Sequence, residues 1–210
     1  CDLDMKKYQI IYADPPWSYY NDMTVDPDFT TVKGVRRPPY KVMSSEDIKN
    51  LNVTHLFDDN AVLCIWATDY HMKKAIDIME SWGFTYKTVA FAWQKLNKNG
   101  KPVSFCGAYT LKSGVELCLL GTKGNTAGWV RDRKVRGLVT SERMEHSKKP
   151  DEVRLGIERL FGDRPRLELF ARQQTEGWDV FGNEVDGSIS LENNSITGGG
   201  TPYRECTGSA

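Results

Sequence analysis

The string Asp14-Pro15-Pro16-Trp17 is the part of this 210-residue chain whose residue types point most directly to chemistry. Pro15 and Pro16 fix two consecutive φ angles and contribute no N–H group. What the string offers is acceptors: the Asp14 carboxylate and the Pro15 carbonyl. Such a pair suits a ligand that donates, above all an exocyclic amine, and the indole of Trp17 behind it could stack on a planar base. The amino group of adenine is a poor nucleophile because its lone pair is delocalised into the ring. Two acceptors taking its two hydrogens draw the nitrogen towards a tetrahedral geometry and free the lone pair. They also stabilise the charge that develops as it reacts. No strong base is needed, since the nitrogen becomes acidic once alkylated. Asp-Pro alone reads as a rigid turn closing a strand. The full string, with Tyr12 before it and Tyr19 and Tyr20 after it, carries more than that.

The elements that must position this string follow from the hydrophobic pattern. Tyr8–Ala13 is β-branched and aromatic and reads as a buried strand ending at Asp14. Residues 61–67, 88–93, 115–121, 166–171 and 178–181 read as further strands. Ser44 with Asp47 three residues on is the start of a short helix. Asp69 is placed to cap a helix whose Met72, Ala75, Ile76 and Met79 share a face, and Gly83 ends it. Pro150 opens a third helix, with Asp151 and Glu152 in its first turn and Val153, Ile157, Leu160 and Phe161 as its stripe. Gly162 stops it. Strands alternating with helices predict an α/β fold, a mostly parallel twisted sheet with helices on both faces. Ligands in such sheets bind at the carboxyl ends of the strands, where Asp14 lies. The organisation expected is one domain over residues 1–187, with long substrate-facing loops at about 18–43 and 96–148, and a Gly/Ser/Asn-rich mobile tail over 188–210.

The series of short motifs resembles the N6-adenine methyltransferases of the MT-A-seventy type, over about Tyr8 to Gly187. It comprises Asp14-Pro15-Pro16-Trp17, Pro39-Tyr40 with Met43-Ser44, Ile65-Trp66-Ala67-Thr68, and Trp93-Gln94-Lys95. It continues through Glu116-Leu117-Cys118-Leu119, Gly121-Thr122-Lys123-Gly124 and Lys149-Pro150-Asp151-Glu152. Ile157-Glu158-Arg159-Leu160, Glu168-Leu169-Phe170-Ala171-Arg172 and Gly182-Asn183-Glu184 complete it. The resemblance implies a Rossmann-like methyltransferase fold in permuted order, the catalytic motif preceding the cofactor motif. It implies S-adenosylmethionine as cofactor, with Lys149, Phe170, Arg172 and Asn183 among its contacts, and Glu184 standing where the best-known relative has Gln. Asp2-Leu3 matches an upstream adenine contact, at shorter spacing than the family shows. No metal is implied. Residue chemistry is compatible with these roles: Lys149, ahead of the third helix, suits a carboxylate; Arg172 and Asn183 suit ribose hydroxyls. The missing GxGxxG disfavours a nicotinamide enzyme.

The charges sum to zero, 28 basic against 28 acidic. Residues 95–149 nevertheless carry 12 Lys/Arg and 4 Asp/Glu, a net of +8, between acidic flanks of −3 and −5. Lys98, Lys101, Lys112, Arg131, Arg133, Lys134 and Arg136 in that segment are candidate phosphate contacts. So are Lys33, Arg36 and Arg37 after the first strand; Tyr40 and Trp129 could stack on bases, and Lys95 matches a family position near the substrate adenine. A solvated charged loop is the competing reading. The composition, 40% apolar and 27% charged, excludes wholesale disorder, collagen and coiled coil. No apolar stretch spans a bilayer, and the first residues do not read as a signal peptide, so a cytoplasmic protein of bacterial or phage type is expected. Five cysteines without CxxC spacing read as free thiols.

The expected activity is methyl transfer to the N6 of adenine in DNA, the base flipped out or single-stranded. DNA is favoured because the chain lacks the long additional domains of the mRNA enzymes; RNA is the alternative. A catalytically inert nucleic-acid-binding partner subunit is a reading of another class, opposed by the intact Asp14. A small-molecule or protein methyltransferase is opposed by the basic segment. The family often works as paired subunits, so a homodimer or a second subunit belongs to the expectation.

Overall fold

The structure is a computed structural model. It describes residues 6–18, 42–104, 114–144, 148–183, 185–187, 189 and 191. Seven strands form one sheet: β1 (Tyr8–Ala13), β2 (Phe57–Ala67), β3 (Thr85–Leu96), β4 (Val115–Lys123), β5 (Leu138–Glu142), β6 (Arg166–Leu169) and β7 (Asp179–Phe181), in the order β5-β3-β4-β2-β1-β6-β7. β1 pairs in parallel with β2 and β6, β6 with β7, and β3 with β5, whereas β4 is antiparallel to both β2 and β3. Six strands thus point one way and β4 points back, as a mostly parallel sheet requires. The helices are α1 (Ser45–Lys49), α2 (Met72–Ser81) and α3 (Asp151–Phe161).

Side-chain alternation along the strands builds two apolar layers. Ile11, Ala13, Leu63, Ile65 and Leu167 face α1 and α2, packing with Ile48, Ala75, Ile78, Met79 and Trp82. Ile10, Tyr12, Val62, Cys64, Trp66, Phe91 and Cys118 face α3, packing with Val153, Ile157 and Phe161. Strands with both faces covered explain the near-continuous apolar runs. Cys64 and Cys118 are buried free thiols of the second layer. Gly156 in α3 lies directly on the sheet: a Cβ there would come within 2.9 Å of the Phe91 ring.

Local chemistry sets the helix ends. The Ser44 hydroxyl accepts from Asp47 N–H at 3.0 Å and the Asp47 carboxylate accepts from Ser44 N–H at 3.4 Å, a reciprocal cap for α1. Asp69 does not cap α2; it begins a 3-10 turn, Asp69–His71, and accepts from Tyr70 N–H. The buried residues of α2 are Ala75, Ile78 and Met79, so the core stripe runs through Ile78, with Met72 and Ile76 at its margin. Pro150 is the N-cap of α3 rather than its first helical residue, and Gly162 leaves the helix at φ 73°.

β2 and β3 start earlier than the sequence reading, at Phe57 and Thr85, and β6 stops at Leu169. β5 lies inside the stretch read as loop 96–148; its five residues alternate between exposed and half-buried, and it forms by edge pairing with β3 rather than from an apolar run. Ile189 and Leu191, in the segment read as tail, pack half-buried against the α1/α2 layer. Within the expected 18–43 loop, residues 19–41 lie outside the described residues, as do 192–210 of the tail.

Candidate active site

β1 delivers Asp14 to the edge where β2, β6 and β7 also end. β4, running backwards, brings its first residues there: Ala67 pairs with Leu117, one residue from Glu116. β3 and β5 end there too, Leu96 beside Glu142. Six strand ends and one strand start therefore converge, together with the N-terminus of α3.

Asp14-Pro15-Pro16-Trp17 is held rigidly at this edge. Pro15 and Pro16 are buried. Trp17 N–H donates to the Pro15 carbonyl at 2.9 Å, an i→i+2 bond across Pro16 whose fixed φ suits such a turn. A carbonyl has two acceptor positions, so this bond uses one of the two on Pro15. Met43 closes the string from outside, donating to the Pro16 carbonyl at 2.9 Å and accepting from Ser18 N–H at 3.2 Å.

The structure corrects the expected role of Trp17. Its ring is only 6% exposed, lies stacked on His71 with centroids 5.0 Å apart, and its indole N–H donates to the Trp66 carbonyl at 3.0 Å. It anchors the string in the core instead of presenting a face to a base.

Beside Asp14 runs a row of alternating charges. Lys149 Nζ lies 2.7 Å from Asp14 Oδ1 and 3.2 Å from Glu116 Oε2, and Lys95 Nζ bonds the other oxygen of Glu116. Both lysines sit over indole rings, Lys149 over Trp66 and Lys95 over Trp93. Burial pushes the Glu116 carboxyl up, but Lys149 and Lys95 on either side outweigh it and hold the group below its ordinary range. Burial opposes the charge on Lys149, yet Asp14 and Glu116 raise its pKa above the ordinary lysine value. Glu116 and Lys149 are therefore ionised at neutral pH. Lys95 joins the row through Glu116. Glu116 is a site residue that sequence reasoning missed; its signal was an acid in an otherwise apolar strand.

A cavity of about 360 Å³ opens beside the row, lined by Tyr12, Asp14, Met144, Lys148, Lys149, Arg154, Glu168, Phe170, Arg172 and Gln173. Its floor is built from a buried pair: Arg154 bonds both oxygens of Glu168 at 3.1 Å, with Asp151 bound at 2.8 Å on the same guanidinium. Burial raises the pKa of Glu168, against the pull of Arg154 and with the help of Asp14 and Asp151. Phe170 holds φ 64°, a left-handed conformation rare for an aromatic residue and costly by about 1–3 kcal/mol. It turns the chain out of β6 at the cavity. Ala171 N–H then bonds the Phe181 carbonyl at 2.9 Å, and Gly182 approaches so closely that a Cβ would lie 2.0 Å from the Ala171 oxygen.

The donor set fits a zwitterionic nucleoside cofactor. Lys148, Lys149 and Arg172 can meet a carboxylate, Asp14 and Glu168 a cationic centre, and Phe170 a base. The volume lies in the range of small-molecule sites. Asn183, exposed two residues past β7, sits at the same edge but is not among the lining residues. Glu184, Asp2 and Leu3 lie outside the described residues, as do Tyr40, Arg36 and Arg37.

The MT-A70 family model matches residues 8–184, and with them this whole edge. The chain belongs to the MT-A70 family. Its sheet and motif order are those of a Rossmann-like methyltransferase fold in that family. Among MT-A70 relatives, the chain is 38% identical over 202 residues to the Type II methyltransferase M.MunI of Mycoplasma sp, covering 90% of this chain and 83% of that protein. It is 30% identical to the N(6)-adenosine-methyltransferase MT-A70-like protein of Drosophila melanogaster, covering 94% of this chain and 31% of the relative. It is 28% identical to the human N(6)-adenosine-methyltransferase catalytic subunit METTL3, covering 89% and 30%. The chain thus spans under a third of the adenosine methyltransferase relatives and most of M.MunI.

The same topology corrects the phosphate contacts expected of this MT-A70 chain. Because β4 is reversed, the segment after it leaves the sheet at the opposite edge. There Arg131 N–H bonds the Leu160 carbonyl at the far end of α3, and the Trp129 ring is covered by the Arg164 guanidinium at 3.9 Å. Arg131, Arg133 and Trp129 therefore lie away from Asp14. Arg159 occupies Asp132 in the same segment. Lys98 and Lys101, in the turn past β3, do lie on the Asp14 edge.

Proposed function

We propose that this protein transfers a methyl group from S-adenosylmethionine to the N6 amino group of adenine in DNA. The observation that carries the proposal is the Asp14 carboxylate, fixed at the end of β1 on the wall of the cavity and bonded to Lys149 at 2.7 Å. The cofactor's contribution is an electrophilic methyl group on a positively charged sulfur.

The chain's own residues supply the rest. Asp14 and the Pro15 carbonyl accept from the two hydrogens of the amine and turn its lone pair outward. Lys149 holds Asp14 in place through its 2.7 Å contact, so the carboxylate accepts from the amine when it arrives and takes its proton once the nitrogen has become cationic. Glu116 and Lys95 hold Lys149 in line. Phe170, Arg172, Lys148 and Glu168 would hold the cofactor, with Asn183 at the same strand edge. The base must leave a duplex to reach Asp14. The turn carrying Lys98 and Lys101 is suited to phosphate.

DNA is favoured by the likeness to a Type II methyltransferase over most of both chains. RNA is the second reading, supported by the adenosine methyltransferase relatives, of which the chain spans under a third. No helix among the described residues is long and apolar enough to cross a membrane. An intracellular protein of bacterial or phage type, working alone, as a homodimer or beside a second subunit, agrees with the family. The test is methyl transfer to matched single- and double-stranded DNA and RNA oligonucleotides, with the product base identified by mass spectrometry. Formation of N6-methyladenine on DNA is expected; a methylated product other than N6-methyladenine, or RNA as the far better substrate, would overturn the reading.

A further inference from the structure

His71 is fully buried at the end of the Asp69–His71 turn, and nothing in the methyl-transfer scheme above uses it. Its ring is fixed from several sides. Nδ1 lies 2.8 Å from the Thr68 hydroxyl, and Nε2 lies 3.2 Å from the Ser18 carbonyl. One ring face stacks on Trp17 at an interplanar angle of 16°, and Tyr70 meets the ring edge-on. A backbone carbonyl can only accept, so Nε2 carries a proton and donates to Ser18. In the neutral ring Nδ1 then accepts from the Thr68 hydroxyl.

The two residues His71 grips, Trp17 and Ser18, directly follow Pro15 and Pro16. A segment with two fixed φ angles behaves as a stiff strut. Its first end is clamped by β1 in the sheet. Its second end is tied to the end of β2, through the Trp17 indole on the Trp66 carbonyl, and to the turn after it, through His71 on Ser18. A stiff strut held at both ends fixes what lies between, namely the direction of the Pro15 carbonyl and the approach to Asp14. Met43 still bonds the Pro16 carbonyl, so releasing the second end loosens both without freeing the string.

We propose that His71 is a positioning residue for methyl transfer, acting through Ser18 and Trp17 on the orientation of the Asp14-Pro15 acceptor pair. This rests on the reading of that pair as the amine acceptors. A misplacement of about 1 Å in such a pair lowers turnover by roughly a hundredfold. Hydrogen bonds, not ring volume, are the proposed agents, which makes the proposal separable from a packing role.

The experiment compares His71→Phe, His71→Gln and His71→Asn by kcat, KM for oligonucleotide, cofactor affinity and thermal unfolding. Phe keeps the stack on Trp17 and loses both hydrogen bonds. Gln can place an amide N–H where Nε2 is; the shorter Asn cannot. His71→Phe is expected to lose roughly ten- to a hundredfold in kcat, with cofactor affinity unchanged, and His71→Gln to recover most of that loss. A His71→Phe enzyme with wild-type kcat would overturn the proposal. Should His71→Phe fail to fold, the Gln and Asn variants decide: turnover by Gln well above Asn supports it, and equal turnover overturns it. Asp14→Asn, assayed alongside, separates the two ideas, since full activity there would remove the acceptor-pair reading itself.

Discussion

Removing Glu116 should cost the protein more than its single carboxylate suggests. In Glu116→Ala, Lys149 and Lys95 both lose a partner, and Lys149 keeps its contact with Asp14. The Glu116 and Lys149 side chains are each 10% exposed, so these are not surface pairs that water would replace. Breaking a buried pair from one side costs about 3–5 kcal/mol, chiefly because a desolvated charge remains. At about 2–4 °C per kcal/mol for a domain of this size, the midpoint of thermal unfolding should fall by roughly 6–20 °C. The assay is denaturant unfolding at constant slope, run on Glu116→Ala, Lys95→Met and the double variant. The double variant should be less destabilised than the sum of the single ones, because it removes the charge that Glu116→Ala strands; couplings of about 0.5–3 kcal/mol are typical of contacting groups. A loss under about 1 kcal/mol for Glu116→Ala, or strict additivity, would refute the buried-row account.

The pH dependence follows from the same row. The Glu116 pKa lies below its ordinary 4.5, so its stabilisation is present above that value and is lost as pH falls through the lower folded-state value. The stability gap between wild type and Glu116→Gln should therefore narrow in acid below about pH 4.5, measured by urea midpoints. Asp14→Asn should lower methyl transfer by about a hundredfold or more while cofactor affinity, read by calorimetry, stays near wild type. Arg131→Ala with Arg133→Ala should leave turnover within about twofold, because both lie at the edge opposite Asp14. Lys98→Ala with Lys101→Ala should instead weaken oligonucleotide binding and flatten its salt dependence.

The sequence carried the sheet, its two covered faces and the place of the Asp14–Trp17 string at a strand end, because those rest on local signals: apolar runs, a capping box at Ser44, two prolines after a strand. It did not carry the direction of β4. An apolar run reads the same either way, and orientation is decided by pairing with β2 and β3. That one reversal moved Arg131, Arg133 and Trp129 to the far edge and brought Glu116 to the near one. β5 was invisible for a related reason: an edge strand can form from backbone pairing without an apolar face. Trp17 illustrates a third gap. Residue type says that an indole can stack on a base, but only packing says that Trp66 and His71 have already claimed it. The Arg154–Glu168 pair escaped likewise, since residues 14 apart in sequence meet only when α3 lies on β6.

Gly156 has a mechanical consequence. With no side chain between α3 and Phe91, the helix rests on the sheet at the shortest standoff a backbone permits. Five residues back along the same helix, about 7.5 Å, is its first turn, and Lys149 precedes it. The helix acts as a lever with its fulcrum at Gly156 and the ammonium group near its tip. A single methyl inserted at the fulcrum would tilt or lift the lever by tenths of an ångström, a sizeable fraction of the tolerance on the 2.7 Å contact with Asp14. The smallest residue in the chain thus sets the gauge of the charge row, although it touches neither base nor cofactor.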